Sequence, residues 1–369
     1  MRTRLIKIFV LLTVLTLFAA ACSSDGGTTT TEATDGATTT EATDGATTTE
    51  ATDGTAEDGP TEVSIGLVLS GVKEESWVSS MLETLNRIQA ESPHGMTVNY
   101  EYFESIEYAD GARVIGDLAA SGKYDIILGH SLFGESVAQV NDQYPDILFA
   151  FSGSGNDGNS GDNAYWIDAY THEAAYLTGV IAGMMTKTNK ISGVAAFPTP
   201  NVNAPLNGYI AGAKSVNPDV TAKVTYLESW FDPTGAKESA TAQIAAGSDI
   251  IYAEREGPWE AAKQHEGVYV IGHWSDESSV APEVILTSTL ALWDPAMNFL
   301  IETWYAHEAA GTPYDAPSDR IVYSMADGGC DIAPMSDLVP ADVQAKVMEV
   351  KGEIMNRELE IPLNPAPIE

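Results

Sequence analysis

Covalent chemistry in this 369-residue chain is bounded by two cysteines, Cys22 and Cys330. Cys22 closes the run Ala19-Ala20-Ala21-Cys22, which follows an apolar stretch from Ile8 to Phe18 and a basic start carrying Arg2, Arg4 and Lys7. A basic start, a short apolar core and small residues ending on cysteine predict a lipoprotein signal over residues 1–22, cleaved so that the Cys22 thiol is acylated. The apolar run is too short for a transmembrane anchor, and no stop-transfer flank follows it. The mature protein is therefore expected at the cell membrane, lipid-anchored on the extracytoplasmic face. Cys330 stands alone in Gly328-Gly329-Cys330-Asp331, which leaves no disulfide for the mature domain and no Cys/His spacing for zinc. A nucleophilic role would need a histidine beside it in space; a half-buried bystander is the simpler expectation. GxSxG, HExxH and GxGxxG are absent. Gly116 to Tyr124 comes nearest to a phosphate-binding loop, but its glycines are one residue too far apart and Tyr124 replaces the Ser or Thr.

The remaining chemistry is non-covalent, and the elements that position it follow a low-complexity tract. Residues 23–60 read as a disordered linker in which TTTEATDGA recurs every nine residues, with no aromatic, large aliphatic or basic side chain to bury. The whole chain carries a formal net charge of −35, and removing signal and linker leaves 44 acidic against 15 basic residues. Such a surface repels nucleic acid and anionic headgroups, so nucleic acid is excluded as a partner. Abundant Asp and Glu in so acidic a chain are weak grounds for catalysis.

Beyond residue 60, apolar runs and helical periodicity alternate. Strands are expected over 63–69, 98–103, 124–129, 147–151 and 165–167, with helices between them and a long helix over 173–186. The rhythm then restarts, with strands over 191–197, 220–227, 249–253, 268–272, 285–290 and 321–325. The matching helices are expected over 206–216, 235–246, 258–265, 295–309 and 341–357. Two rounds of strand and helix predict an α/β protein of two lobes, each a parallel sheet covered by helices. Lobe 1 is expected to hold about 61–168 and 291–320, and lobe 2 about 169–290 and 321–369. The ligand cleft then lies between the lobes, where strand C-terminal ends face each other. A clamshell without catalytic or ATPase motifs reads as a ligand-capturing protein, not an enzyme, with no cofactor.

Several segments, in order along nearly the whole domain, resemble one family. Tyr144-Pro145-Asp146-Ile147-Leu148-Phe149-Ala150 is similar to its YPDIKFA segment, and Glu173 to Val180 to its EAAYLAGV helix. Gly212 to Pro218 matches GAKSVNP, and Ser229-Trp230-Phe231-Asp232-Pro233 matches the SWFDP of an adenine-binding-like subgroup. Gly267 to Gly272 with Ser275-Asp276 resembles GVYVIG..SD, and Asp327-Gly328-Gly329 with Ala333-Pro334 resembles the C-terminal GG…AP segment. The family is that of the basic membrane proteins (Bmp), substrate-binding lipoproteins of ABC importers for purine nucleosides and related compounds. The resemblance implies the type I periplasmic-binding-protein fold. It also implies a purine base or nucleoside as ligand, separate ABC permease and ATPase subunits as partners, and a monomer. A sensor or a binder of sugars or other small metabolites on the same fold is the alternative, and an exported nucleosidase a more distant one.

A purine site needs an aromatic sandwich and a polar rim. Trp77, which opens the first helix and matches the family's aromatic, is the expected stacking residue, with core packing as its other role; Val78 stands where the family carries Asn. Trp230 or Phe231 is expected to face the cleft. Asn207 matches a family asparagine and would otherwise cap a helix, while Asp276 matches the family carboxylate or else caps one. Glu256 stands where the subgroup carries Asp, and Arg255 is expected to neutralise Glu254 or Glu256. Trp274 and Trp293 are read as rim or packing residues, and His130 as a titratable group at a strand end that contacts ligand or forms surface hydrogen bonds.

Overall fold

Strands covered on both faces read as unbroken apolar runs, and that is how the central strands of this protein are built. The computed structural model describes residues 59–156 and 161–368; the signal expected to end at Cys22 and the expected linker up to residue 58 lie outside the described residues. The first sheet holds β1 (Glu62–Leu69), β2 (Thr97–Phe103), β3 (Ile126–His130), β4 (Leu148–Ser152) and β5 (Ala164–Ile167). They run in the order β2-β1-β3-β4-β5, all parallel, with Ile65 opposite Ile126 and Ile127 opposite Phe149. Every residue of β3 and β4 is buried. Helices α1 (Ser76–Glu91), α2 (Gly111–Ala120) and α3 (Gly134–Ala138) connect these strands.

The chain then crosses at residues 168–171 into α4 (His172–Met185) and the second sheet. That sheet is built from β6 (Lys190–Ala195), β7 (Thr221–Tyr226), β8 (Ile250–Ala253), β9 (Tyr269–Gly272), β10 (Ile285–Ala291) and β11 (Cys330–Ile332). Its helices are α5 (Pro200–Val216), α6 (Pro233–Ala245) and α7 (Pro258–Ala262). The order is β11-β10-β9-β8-β6-β7, parallel except for β11, which runs antiparallel to β10. After β10 the chain returns to the first lobe as α8 (Asp294–Ala310), whose Met297, Leu300, Ile301 and Trp304 share a core with Val63, Leu85 and Ile88. It crosses back to end in α9 (Ala341–Met355), packed on the α4 side of the second core. The chain thus passes between the two α/β lobes three times.

Helices α4 and α5 touch backbone to backbone. A Cβ on Gly179 would lie 2.0 Å from the Tyr209 carbonyl, and one on Gly212 would lie 2.0 Å from that of Tyr176. Only glycine permits this approach, which sets α5 firmly against the second core.

Three elements differ from the sequence expectation. The strand expected over 321–325 is a single bridge between Ile321 and Ile167, followed by a one-turn helix Met325–Asp327. Strand β11 was too short to read from periodicity, and it buries Cys330, whose thiol burial pushes to a raised pKa. Helix α5 begins at Pro200, not near 206, because Pro200 occupies its first turn while Pro205 is accommodated inside it. Pro205 has no N–H to give the Asn201 carbonyl.

At the first crossing, Asp168 is buried, accepts from its neighbour Ala169 N at 2.9 Å and faces Arg320 at 3.7 Å. Burial raises its pKa to about 7 against the Ala169 hydrogen bond and the Arg320 charge. Among the described residues, no helix is long and apolar enough to cross a membrane.

Candidate ligand cleft

The strand ends of both sheets converge on a cleft of about 290 Å³. From the first lobe come Ser70, Glu75 and Trp77 after β1, Ser131 after β3, and Ser154 after β4. The second lobe supplies Asn201 near the start of α5, Trp230 after β7 and Arg255 after β8. This is where open parallel sheets bind ligands, because strands end there and helix N-termini begin.

Trp77 is half-buried at the cleft and held by an aromatic cage. The His130 ring stacks on it at 4.8 Å and 10°, while Trp274 and Trp293 meet it edge-on at 4.7 and 5.1 Å. His130 is fully buried under the indole, so it is a support and not a surface residue. Its Nε2 lies 3.1 Å from the Trp77 carbonyl, and its Nδ1 lies 3.0 Å from Ser152 Oγ. A carbonyl only accepts, so Nε2–H donates to it and Nδ1 accepts the Ser152 hydroxyl. Burial lowers the His130 pKa to about 4, and the ring is neutral at physiological pH. Trp293 is anchored in turn by donating Nε1–H to Ser80 Oγ at 3.0 Å.

The opposite wall is polar. Glu254 is fully buried and accepts from Ala196 N at 2.9 Å, from Arg255 Nε at 3.0 Å and from Arg255 Nη2 at 2.5 Å. Trp274 donates its indole N–H to the same carboxylate at 3.3 Å. Trp274 is therefore packed behind the cleft, where it joins the Trp77 cage to the Glu254 pair. Desolvation would lower the Arg255 pKa, but the adjacent Glu254 carboxylate overrides it and holds the guanidinium charged. Arg255 lies 5.7 Å from the Trp230 ring, and Trp230 is 36% exposed on the rim beside Phe197. Gly257, at φ 122°, turns the chain so closely over Pro233 that a Cβ would fall 2.4 Å from its carbonyl.

The structure does not bring every expected residue to the cleft. Glu256 is buried between the lobes, where Oε1 accepts both the N–H and the hydroxyl of Ser76 at 2.8 Å; it closes the N-terminus of α1 from across the interface. Asn207 faces away and donates to the carbonyls of Asn364 and Ala366, both at 2.9 Å, tying the C-terminal segment to α5. Asp276 is exposed and folds into a local turn by accepting from Ser278 N at 2.9 Å. Their family matches lie near a cleft-forming element, but hydrogen-bond partners far along the chain, or two residues away, claim the side chains.

Sequence reasoning also missed Asn201 and Ser154. Asn201 N donates to Ser154 Oγ at 3.0 Å and so links the lobes at the cleft floor. Thr199-Pro200 was the available signal, since proline in a first turn marks a helix start. Ser79 and Ser275 make a further bond between lobes at 3.1 Å. No group of His, Cys, Asp and Glu suited to a metal ion occurs among the described residues.

Known proteins share this architecture. A solute-binding protein of an ABC transporter system from Conexibacter woesei superposes with a TM-score of 0.66 at 23% identity, covering 81% of this chain and 98% of that one. One from Aeropyrum pernix gives a TM-score of 0.66 at 18% identity, covering 82% and 94%. In sequence, a candidate ABC transporter glucose-binding protein of Haloferax volcanii is 30% identical over 71% of this chain; the match spans 64% of that protein. A purine-binding protein of Brucella abortus is 29% identical over 72% of this chain and 73% of its own length. The Bmp family model, described as ABC transporter substrate-binding protein PnrA-like, matches residues 62–365. With the two parallel sheets, the cleft between them and this match over nearly the whole folded region, the chain belongs to the Bmp family of ABC transporter substrate-binding proteins.

Proposed function

We propose that this protein is the lipid-anchored, extracytoplasmic receptor of an ABC importer and captures a purine base or nucleoside. The observation that carries the reading is the caged Trp77 at the cleft, with Trp230 on the facing lobe. An indole fixed by a ring stacked beneath it and two rings at its edges loses little freedom when a flat ligand lands on it. The purine-binding relative supports the same ligand class. Ligand stacks first on one lobe; hinge closure at the three crossings then brings the second lobe's polar groups to its rim and excludes water. The closed form is delivered to a separate permease and ATPase. The protein works as a monomer and performs no turnover.

A sugar is the second reading. It is favoured by the glucose-binding relative and by hydroxyls of Ser70, Ser131, Ser154 and Thr199 along the cleft. Melting curves of the protein with adenine, adenosine, guanosine and glucose separate the two. Stabilisation by a purine or nucleoside is the expected result, and a shift with glucose alone would transfer the assignment to sugars. For the anchor, Cys22→Ser is expected to leave ligand binding intact and release the protein from membranes.

A further inference from the structure

Among the described residues, Arg255 has donor capacity that the fold leaves largely unused. A guanidinium carries five N–H donors and no acceptor. Glu254 takes two of them, one on Nε and one on Nη2. The partner of Nη1 among the described residues is the Trp230 carbonyl at the long distance of 3.5 Å. The Nη1–Nη2 edge is thus available on a side chain that lines the cleft and is only 4% exposed. The grip of Glu254 fixes the plane of the fork, and Glu254 is itself fixed by Ala196 and Trp274. Glu75 lines the same cleft and lies close enough to feel the Arg255 charge.

We infer that Arg255 is a specificity-determining residue that selects 6-oxopurines, as guanine or hypoxanthine and their nucleosides, over 6-aminopurines. This rests on the purine reading above. A 6-oxopurine presents two adjacent acceptors, O6 and N7, which match the two parallel donors of an arginine fork. Adenine presents N7 beside an amino group, so a donor would face a donor and a buried N–H would lose its partner. The neighbouring edge extends the match. A 6-oxopurine has a donor at N1 for the Glu75 carboxylate, where adenine has an acceptor. The charge balance also excludes nucleotides. Glu254 neutralises Arg255, and Glu75 and Glu107 add negative charge to the cleft, so a phosphate would be repelled while a carbonyl is not. The SWFDP segment resembles that of adenine-binding-like relatives, but Arg255 stands in the loop where this chain departs from them.

Calorimetric titration of the full chain with guanosine, inosine and adenosine tests this. Guanosine and inosine are expected to bind roughly tenfold or more tightly than adenosine, the lower part of the discrimination a bidentate arginine supplies. Arg255→Lys keeps a cation beside Glu254 and removes the fork; it should erase that preference by weakening guanosine and inosine binding. Adenosine binding as tightly as guanosine, or a preference that survives in Arg255→Lys, would overturn the inference and leave purine capture standing. Should no purine or nucleoside bind, the purine reading falls, and this inference with it. If Arg255→Lys does not fold, the wild-type ranking decides alone.

Discussion

The two walls of the cleft are built on different physics. On the first lobe, Trp77 is held by rings: His130 beneath it, Trp274 and Trp293 at its edges. On the second lobe, Arg255 is held by a buried carboxylate. Packed rings lose stability gradually when altered, because each contact is weak and many share the load. A buried ion pair is all-or-none, because removing one partner strands a charge away from water. The cleft therefore combines a forgiving aromatic wall with an unforgiving polar one, and Trp274 touches both.

The largest expected effect tests that asymmetry directly. Glu254→Ala should destabilise the protein by about 3–5 kcal/mol, since it leaves the Arg255 guanidinium buried and unpaired. Urea denaturation measures this, and a loss below about 1 kcal/mol, the scale of a surface pair, would place the two walls on an equal footing. Trp77→Ala comes next. It should weaken ligand binding by about 1–3 kcal/mol, the value of one base–aromatic stack, in a titration that leaves the fold intact by circular dichroism.

Protons should separate the wall from the hinge. His130 has its pKa lowered from 6.5 to about 4, so its contribution is present above pH 6.5 and lost as pH falls through 4. His130→Phe keeps a ring under Trp77 and should flatten the acid limb of a stability–pH curve. Asp168 runs the other way. Its pKa is raised from 3.8 to about 7, so its contribution is present below pH 3.8 and lost as pH rises through 7. Asp168→Asn should flatten the neutral limb, and identical curves for the two variants would remove the distinction. The smallest effect belongs to Asn207→Ala, which frees the C-terminal segment from α5. It should cost about 1 kcal/mol and leave affinity nearly unchanged, because Asn207 does not line the cleft.

Much of the fold was legible because a parallel sheet covered on both faces forces long apolar runs with helices between them. Strand β3 and helix α4 stand close to where periodicity places them. What escaped was short or long-range. Strand β11 spans three residues, fewer than a period-two signal needs. Helix α5 starts at Pro200, ahead of the expected 206, and Asn201 sits in that earlier turn. At the site, Trp77 could be found because its position after the first strand fixes it at a strand end. Asn207 and Asp276, expected from family matches, do not line the cleft, and for one reason. A match fixes the element that carries a residue, whereas the direction of its amide or carboxylate is decided by its hydrogen-bond partner. Asn207 finds its partner 157 residues away, which no local pattern can announce. Arg255 shows the converse: its pairing with Glu254 was legible, and its place in the cleft was not.

The C-terminal segment carries a consequence for biogenesis. Asn203 and Asn207 grip the carbonyls of Asn364, Pro365 and Ala366, and the Tyr226 hydroxyl accepts from Ile368 N at 3.4 Å. Helix α8, needed by the first core, is also made late. Neither lobe can close its hydrophobic interior until most of the polypeptide has been synthesised, and the second waits for nearly the last residues. Contacts so distant in sequence form slowly. Under the extracytoplasmic reading proposed above, a nascent chain of this design would be slow to fold while it is being made, which is the state a narrow export channel requires, and would complete its cleft only after passage.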